Sequence, residues 1–187
     1  MNTQMLRDIT DAYGSMESPH WAFVCKRYDT NPYQSLESQI REFSDSKKEL
    51  EYNHDTMIFY YITSKYGDLA LFVSLVGKYA YIGDNDGKVL TESELLSDEL
   101  GQKLLPVLHR EGIMIMTVDQ MKEGIYFNNE QTLLYRVLFS ESAPPWEWYE
   151  AGGPGWLDLE PTGVTWHRRF AGTRLTVSDP LPDAPPR

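Results

Sequence analysis

The stretch "TMIFYYITSKYGDLALFVSLVGKYAYIGD", residues 56–84, carries the strongest structural signal in this chain. It contains three runs rich in β-branched and aromatic residues, at 56–63, 69–76 and 78–84. Short turns that contain glycine separate the runs, and this spacing is typical of consecutive β-hairpins. The stretch therefore predicts a meander of three antiparallel strands.

The residues before the meander predict a mixture of helix and strand. A short helix within the first twenty residues is expected to place Met5 and Ile9 inward. Residues 20–29 favour a strand, with Trp21, Phe23 and Cys25 on one face and Ala22, Val24 and Lys26 on the other. Residues 31–43 predict a second helix, for which Asn31 is a suitable N-cap.

The residues after the meander predict a helix over 91–112. Thr91 and Glu94 have the spacing of a capping box. Leucines follow at steps of four residues from Leu96, so they lie on one helix face. Pro106 is expected to kink or restart the helix, because proline removes a backbone donor and clashes with the preceding turn.

Two further strands and one charged connection complete the prediction. Residues 113–118 and 132–140 are apolar runs that favour strands, whereas residues 44–55 are charged and favour a helix end followed by a loop. The sequence thus predicts an α+β fold, with an antiparallel meander sheet and helices packed mainly on one face.

Composition divides the chain into two parts. An α+β domain is expected over residues 1–148, followed by a C-terminal extension over residues 149–187. Eight of the eleven prolines lie after Ala143, and four of the five tryptophans do as well. Within the extension, residues 164–178 could form a hairpin, and the proline-rich end at 179–187 is expected to be disordered.

The chain carries a net charge of −11 at pH 7. A surface this acidic repels phosphate backbones and anionic lipids, so neither a nucleic acid nor a membrane is expected as a partner. The same field would speed association with a basic protein. Cys25 is the single cysteine, and the N-terminus lacks a secretion signal, so a cytoplasmic protein is predicted. No phosphate loop or dinucleotide fingerprint is present, and no cofactor is expected.

The motif "DNDGK" at residues 84–88 resembles part of a calcium-binding loop. With Gly87 at the sixth position of such a loop, Ile82 and Ser93 fall where the first and last ligands belong. Neither residue suits calcium. A hairpin turn is the better interpretation, and no metal site is predicted.

A catalytic role stays open as an alternative. His54 and His167 could act as general bases beside carboxylates, and Ser64 or Ser140 could serve as a nucleophile. The Gly-x-Ser-x-Gly turn that exposes a nucleophilic serine is not found in the sequence. A small cytosolic hydrolase is therefore the runner-up, and a non-enzyme is preferred.

Three of the five tryptophans fall within residues 144–156, "PPWEWYEAGGPGW". Three interpretations compete for these indoles. They could pack in the core, stack on a sugar in a carbohydrate-binding module, or anchor a protein partner, since tryptophan is enriched in interface hot spots. The neighbouring residues are acidic, which suits a basic partner.

The meander at residues 60–84 resembles those of bacterial immunity proteins from polymorphic and contact-dependent toxin systems. "TLLYRVLFSES" at residues 132–142 and the following tryptophans add to the resemblance, which covers residues 20–148. It implies a small acidic protein that binds and neutralises a cognate toxin domain, often a nuclease or deaminase, without catalysis. No functional residue is carried over by position.

Exposed acid beside aromatic side chains then identifies the candidate partner-binding residues. A nuclease toxin has a basic groove, which carboxylates could cover while aromatic side chains anchor the complex. The candidate contacts are Asp84, Asp86, Glu92, Glu94, Asp98, Glu99, Trp146, Glu147 and Trp148.

Overall fold

A computed structural model describes residues 2–49, 55–140 and 144–150 of the chain. The helices are α1 (Thr3–Tyr13), α2 (Ala22–Thr30), α3 (Gln34–Ile40), α4 (Glu92–Ser97), α5 (Glu99–Arg110), α6 (Val118–Met121), α7 (Leu134–Leu138) and α8 (Pro145–Glu150). The strands are β1 (Asp45–Glu49), β2 (Met57–Ser64), β3 (Gly67–Ser74), β4 (Tyr79–Gly83), β5 (Met114–Ile115), β6 (Gly124–Phe127) and β7 (Glu130–Leu133).

The main sheet has five strands in the order β1-β2-β3-β4-β5. Strands β1 to β4 are antiparallel, and β2–β3–β4 is the predicted meander, with Tyr60 opposite Leu71 and Leu71 opposite Ile82. The short strand β5 is parallel to β4, and α4 and α5 form the crossover between them. A separate hairpin joins β6 to β7. The predicted α+β class is confirmed, with a sheet that is mixed but mostly antiparallel.

Both faces of the sheet are buried, each by its own cluster of side chains. Along β3, Leu69, Leu71 and Val73 belong to one cluster, here called core A, while Ala70 and Phe72 belong to the other, core B. This alternation follows from the two-residue period of a strand. Core A packs against α2, α3, α4 and α5, and core B against α1, α6, α7 and α8. Helices therefore lie on both faces, and the expectation that one face would carry most of them is too narrow.

An aromatic stack crosses the sheet within core B. The rings of Phe59 and Phe72 stack at 4.8 Å, and those of Phe72 and Tyr81 stack at 4.3 Å. Each pair is directly opposite in the strand register, so the meander itself aligns the rings. Phe139 then meets Tyr81 edge-on at 4.9 Å, which ties the end of α7 to the sheet.

The prediction of a strand over residues 20–29 is wrong, because these residues form α2. The helix is attached to the sheet mainly through long polar side chains and has no broad apolar stripe. The Tyr28 hydroxyl donates to the Met57 carbonyl at 2.5 Å, and the Arg27 guanidinium donates to the Val76 carbonyl at 3.1 Å. Residues 21–25 form a short apolar run, and periodicity alone does not distinguish a helix from a strand in such a run.

The predicted helix over 31–43 is confirmed in its core positions but not at its start. Leu36 and Ile40 are fully buried, whereas α3 begins only at Gln34. Asn31 ends α2 instead of capping α3, with a left-handed φ of 38° that asparagine tolerates better than most residues. The inward positions of Met5 and Ile9 in α1 are also confirmed.

Two other segments differ from their predictions. Residues 44–55 were expected as a helix end and loop, yet Asp45–Glu49 is the edge strand β1, whose pairing partner is β2. Charged side chains are common on edge strands, where they discourage pairing with other chains. The run 132–140 is strand only at its start and then turns into α7, in which Leu134, Tyr135, Val137 and Leu138 are buried.

The helix predicted over 91–112 is interrupted at Asp98 and continuous through Pro106. Asp98 has an extended backbone, with φ −102° and ψ 137°, and its carboxylate accepts a hydrogen bond from the Gly101 amide at 2.7 Å. This new start rotates the helix register, so Leu95 is buried and Leu96 is 59% exposed. The expected common face therefore begins at Leu100 and not at Leu96.

Candidate partner-binding surface

The turn after β4 is organised by Asp84. Its carboxylate accepts hydrogen bonds from the amides of Asp86, at 3.0 Å, and Lys88, at 2.9 Å. Gly87 has a φ of 86°, which an L side chain rarely adopts. The carboxylate of Asp84 is thus engaged in hydrogen bonds with the backbone of the turn, whereas the Asp86 side chain is exposed.

The start of α4 is fixed by the predicted capping box. The Glu94 amide donates to the Thr91 hydroxyl at 3.3 Å, and the Thr91 amide donates to the Glu94 carboxylate at 2.8 Å. Lys88 forms an ion pair with Glu94 and so links the preceding turn to the helix. The hydrogen bond from Lys88, followed by those from Thr91, lowers the pKa of Glu94 from 4.5 to about 2.

Three carboxylates at this edge do not serve such internal roles. Asp86, Glu92 and Glu99 are exposed, and Glu92 lies 3.6 Å from the imidazole of His109. Leu96 follows Glu92 by one helical turn, so the two side chains share a face of α4. We call Asp86, Glu92, Leu96 and Glu99 the α4 surface. It combines one large exposed apolar side chain with three carboxylates.

Leu96 is the member of the α4 surface that the sequence reasoning did not identify. A signal for it was present, since Asp98 followed by Glu99 is a helix-start pattern inside the predicted helix. The pattern indicates a second helix and therefore a change in which leucines point inward.

The tryptophan candidates lie away from the α4 surface. Trp146 is only 6% exposed and packs edge-on against Tyr135, with ring centroids 5.4 Å apart, in core B. It therefore belongs to internal packing, as one of the three interpretations holds. Glu147 is exposed beside it. Trp148 contributes its backbone to α8, but its side chain lies outside what the structure describes.

The catalytic candidates are not assembled into a site within the described residues. His54 and His167 lie outside those residues. Ser64 accepts a hydrogen bond from the Tyr66 amide at 3.0 Å in the β2–β3 turn. Ser140 is 2% exposed and donates to Asp55, which is also buried. Ser140 is thus shielded from solvent and from any substrate in it.

Residues 2–49, 55–140 and 144–150 contain neither a metal-binding cluster nor a helix that could cross a membrane. No group of three or more histidine, cysteine or acidic residues is placed to hold a metal ion there. In the same ranges, no helix has the length and apolar character needed to cross a bilayer.

Comparisons with known proteins assign neither a family nor a function to the chain. No protein-family model matches the chain, and neither the curated proteins nor the solved structures include a significant match.

Proposed function

We propose that this protein is a non-catalytic inhibitor that binds and neutralises a basic toxin domain, such as a nuclease or deaminase, through the α4 surface. The observation that carries the proposal is the position of Leu96. This side chain is 59% exposed and is accompanied by the exposed carboxylates of Glu92 and Glu99. Leu96 is the most exposed of the large hydrophobic side chains in the described residues.

The α4 surface has the composition expected of a contact for a basic partner. Interface affinity is concentrated in a few well-packed side chains near the centre of the contact, and the surrounding contacts exclude water. Leu96 would be the anchor, and the carboxylates would form the rim. The net charge of −11 adds long-range attraction, which raises association rates with a positively charged groove.

The internal hydrogen bonds at this edge support the same role. Asp84, Glu94 and Asp98 hold the turn, the start of α4 and the start of α5 in place. The exposed carboxylates are therefore presented on a fixed backbone, which reduces the entropy lost on binding. Changes at the three supporting residues would alter stability, so they are poor probes of partner contact.

The test begins with co-expression. In toxin systems the immunity gene normally follows the toxin gene, so the probe is the protein encoded immediately upstream. We expect a stable complex and restored growth of the toxin-producing strain. If the toxin is verifiably produced and neither complex nor rescue is seen, the proposed function is wrong.

Variants then test the surface. Leu96→Ala and the double variant Glu92→Lys/Glu99→Lys are each expected to weaken the complex at least about tenfold, since anchors contribute about 2 kcal/mol or more. The matched control is Asp11→Lys/Glu17→Lys, which makes the same charge change at exposed positions in and just after α1. Equal affinity for all three variants would show that the α4 surface is not the contact.

A further inference from the structure

A cleft of about 250 Å³ lies between the β6–β7 hairpin, α7 and the start of α2. Its floor is formed by Phe127 and Val137, two apolar residues whose side chains are almost fully buried. Trp21 forms one wall, and Glu130, Thr132 and Arg136 form the rim. In the cleft, the side chains of Trp21, Phe127 and Val137 belong to core B or pack against it, whereas Leu95 of α4 belongs to core A, so the two surfaces are separate.

The apolar wall is held rigidly by aromatic packing. Trp21 meets Tyr13 edge-on at 5.0 Å and Phe127 edge-on at 6.4 Å, and Tyr13 meets Phe127 at 4.7 Å. The Tyr13 hydroxyl also donates to the Val137 carbonyl at 2.7 Å, within the protein interior. These contacts fix the wall relative to the floor, so the cleft is formed before any ligand arrives.

Two opposite charges line this small cleft without neutralising each other. In the described part of the chain, the side chains of Glu130 and Arg136 make no hydrogen bond or ion pair. Glu130 is directly opposite Phe127 in the hairpin register, so the two side chains lie on the same face of the hairpin, and Glu130 itself is exposed. An exposed carboxylate and an exposed guanidinium thus remain available at the rim of the cleft.

We propose that this cleft binds a free α-amino acid with an apolar side chain. Arg136 would bind the carboxylate of the ligand in its planar fork, and Glu130 would accept hydrogen bonds from the ammonium group. The apolar side chain would lie against Trp21 and Phe127. Sites for drug-sized ligands enclose about 300–1,000 Å³, so a cleft of 250 Å³ suits a smaller molecule. This binding activity does not depend on toxin inhibition.

The first experiment titrates the full-length protein with L-phenylalanine and follows the indole N–H signals by NMR. The signal that disappears in Trp21→Phe identifies Trp21. We expect a saturable shift of that signal. The analogues 3-phenylpropionate, which lacks the ammonium, and 2-phenylethylamine, which lacks the carboxylate, should each bind about tenfold or more weakly, because each loses a charged hydrogen bond.

Two variants test the assignment of each charge. Arg136→Gln should remove the preference for L-phenylalanine over 2-phenylethylamine, and Glu130→Gln should remove the preference over 3-phenylpropionate. Lys26→Gln and Asp11→Asn change exposed charges elsewhere and should leave both preferences intact.

Three outcomes would overturn the proposal. The first is no saturable shift of the Trp21 signal, and the second is equal binding of all three probes. The third is that Glu130→Gln self-associates while no probe binds, since the exposed charge of Glu130 would then serve only to keep the edge of the hairpin from pairing with other chains.

Discussion

Replacing Gly101 with alanine is expected to destabilise the protein, although the same change usually stabilises a helix. Gly101 lies in the first turn of α5, directly against the end of α4. A Cβ atom added there would lie 2.2 Å from the Leu95 carbonyl oxygen, whereas ordinary contact begins near 3.4 Å. The obstacle is backbone, which cannot rotate away, so α4 and α5 would have to separate by about 1 Å.

The magnitude follows from opposing contributions. Alanine gains about 1 kcal/mol over glycine in helix propensity. Overpacking a filled site costs about 1–3 kcal/mol. Separating the helices also weakens the Asp98 cap, worth about 1 kcal/mol, and partly exposes Leu95, whose full burial contributes about 1.5–3 kcal/mol. We expect a net loss of about 2 kcal/mol.

Urea unfolding followed by circular dichroism measures this loss. Thermal unfolding should show a midpoint lowered by about 4–8 °C, as expected for a domain of this size. The control is Ser38→Ala, an exposed position in α3 where alanine should change stability by no more than about 0.5 kcal/mol. A Gly101→Ala variant as stable as the parent, or more stable, would refute the close packing of α4 against α5.

Three further outcomes are expected. Glu94→Gln keeps the capping box but loses the ion pair. Because the pKa of Glu94 is lowered from 4.5 to about 2, the ion pair stabilises the fold above pH 4.5, and this stabilisation is lost as the pH falls toward 2. The variant should therefore lose about 0.5 kcal/mol in urea unfolding at pH 7, after solvent screening, and much less near pH 2. Trp146→Ala should lower the free energy of unfolding in urea by about 3–5 kcal/mol, and Leu96→Ala should lower it by less than about 0.5 kcal/mol. Similar losses for the two variants would contradict the burial of Trp146 and the exposure of Leu96. Ser140→Ala should cost about 1–3 kcal/mol by thermal unfolding, because it removes a buried donor to Asp55, yet leave growth rescue unchanged at a permissive temperature.

The parts of the fold that follow from local chemistry were predictable. Strands β2, β3 and β4 are predicted by β-rich runs that glycine-containing turns separate, and the Thr91–Glu94 capping box predicts the start of α4. The errors fall where tertiary contacts decide. Residues 134–138 are apolar except for Arg136, and in a run of five residues periodicity alone does not separate a strand from α7. Strand β1 is charged, and its conformation depends on pairing with β2.

The sequence identifies the carboxylates of the 84–88 turn and of α4 as candidates but does not give the role of each residue. Some of these carboxylates accept hydrogen bonds from backbone amides, as those of Asp84 and Asp98 do, and are therefore engaged within the protein. The spacing of acidic residues in the sequence does not show which carboxylates are engaged in this way. The cleft beside Trp21 depends on residues distant in the chain, such as Arg136, which only the folded structure brings together.

The strand order of the main sheet has a consequence for the order of folding. Each antiparallel pairing joins strands that are neighbours in the chain, so the meander can form with little loop-closure cost. The parallel pairing of β4 with β5 must wait until α4 and α5 have crossed between them. The helix that carries Leu96 therefore takes its final position late, and a growing chain would acquire its meander before it could bind a partner.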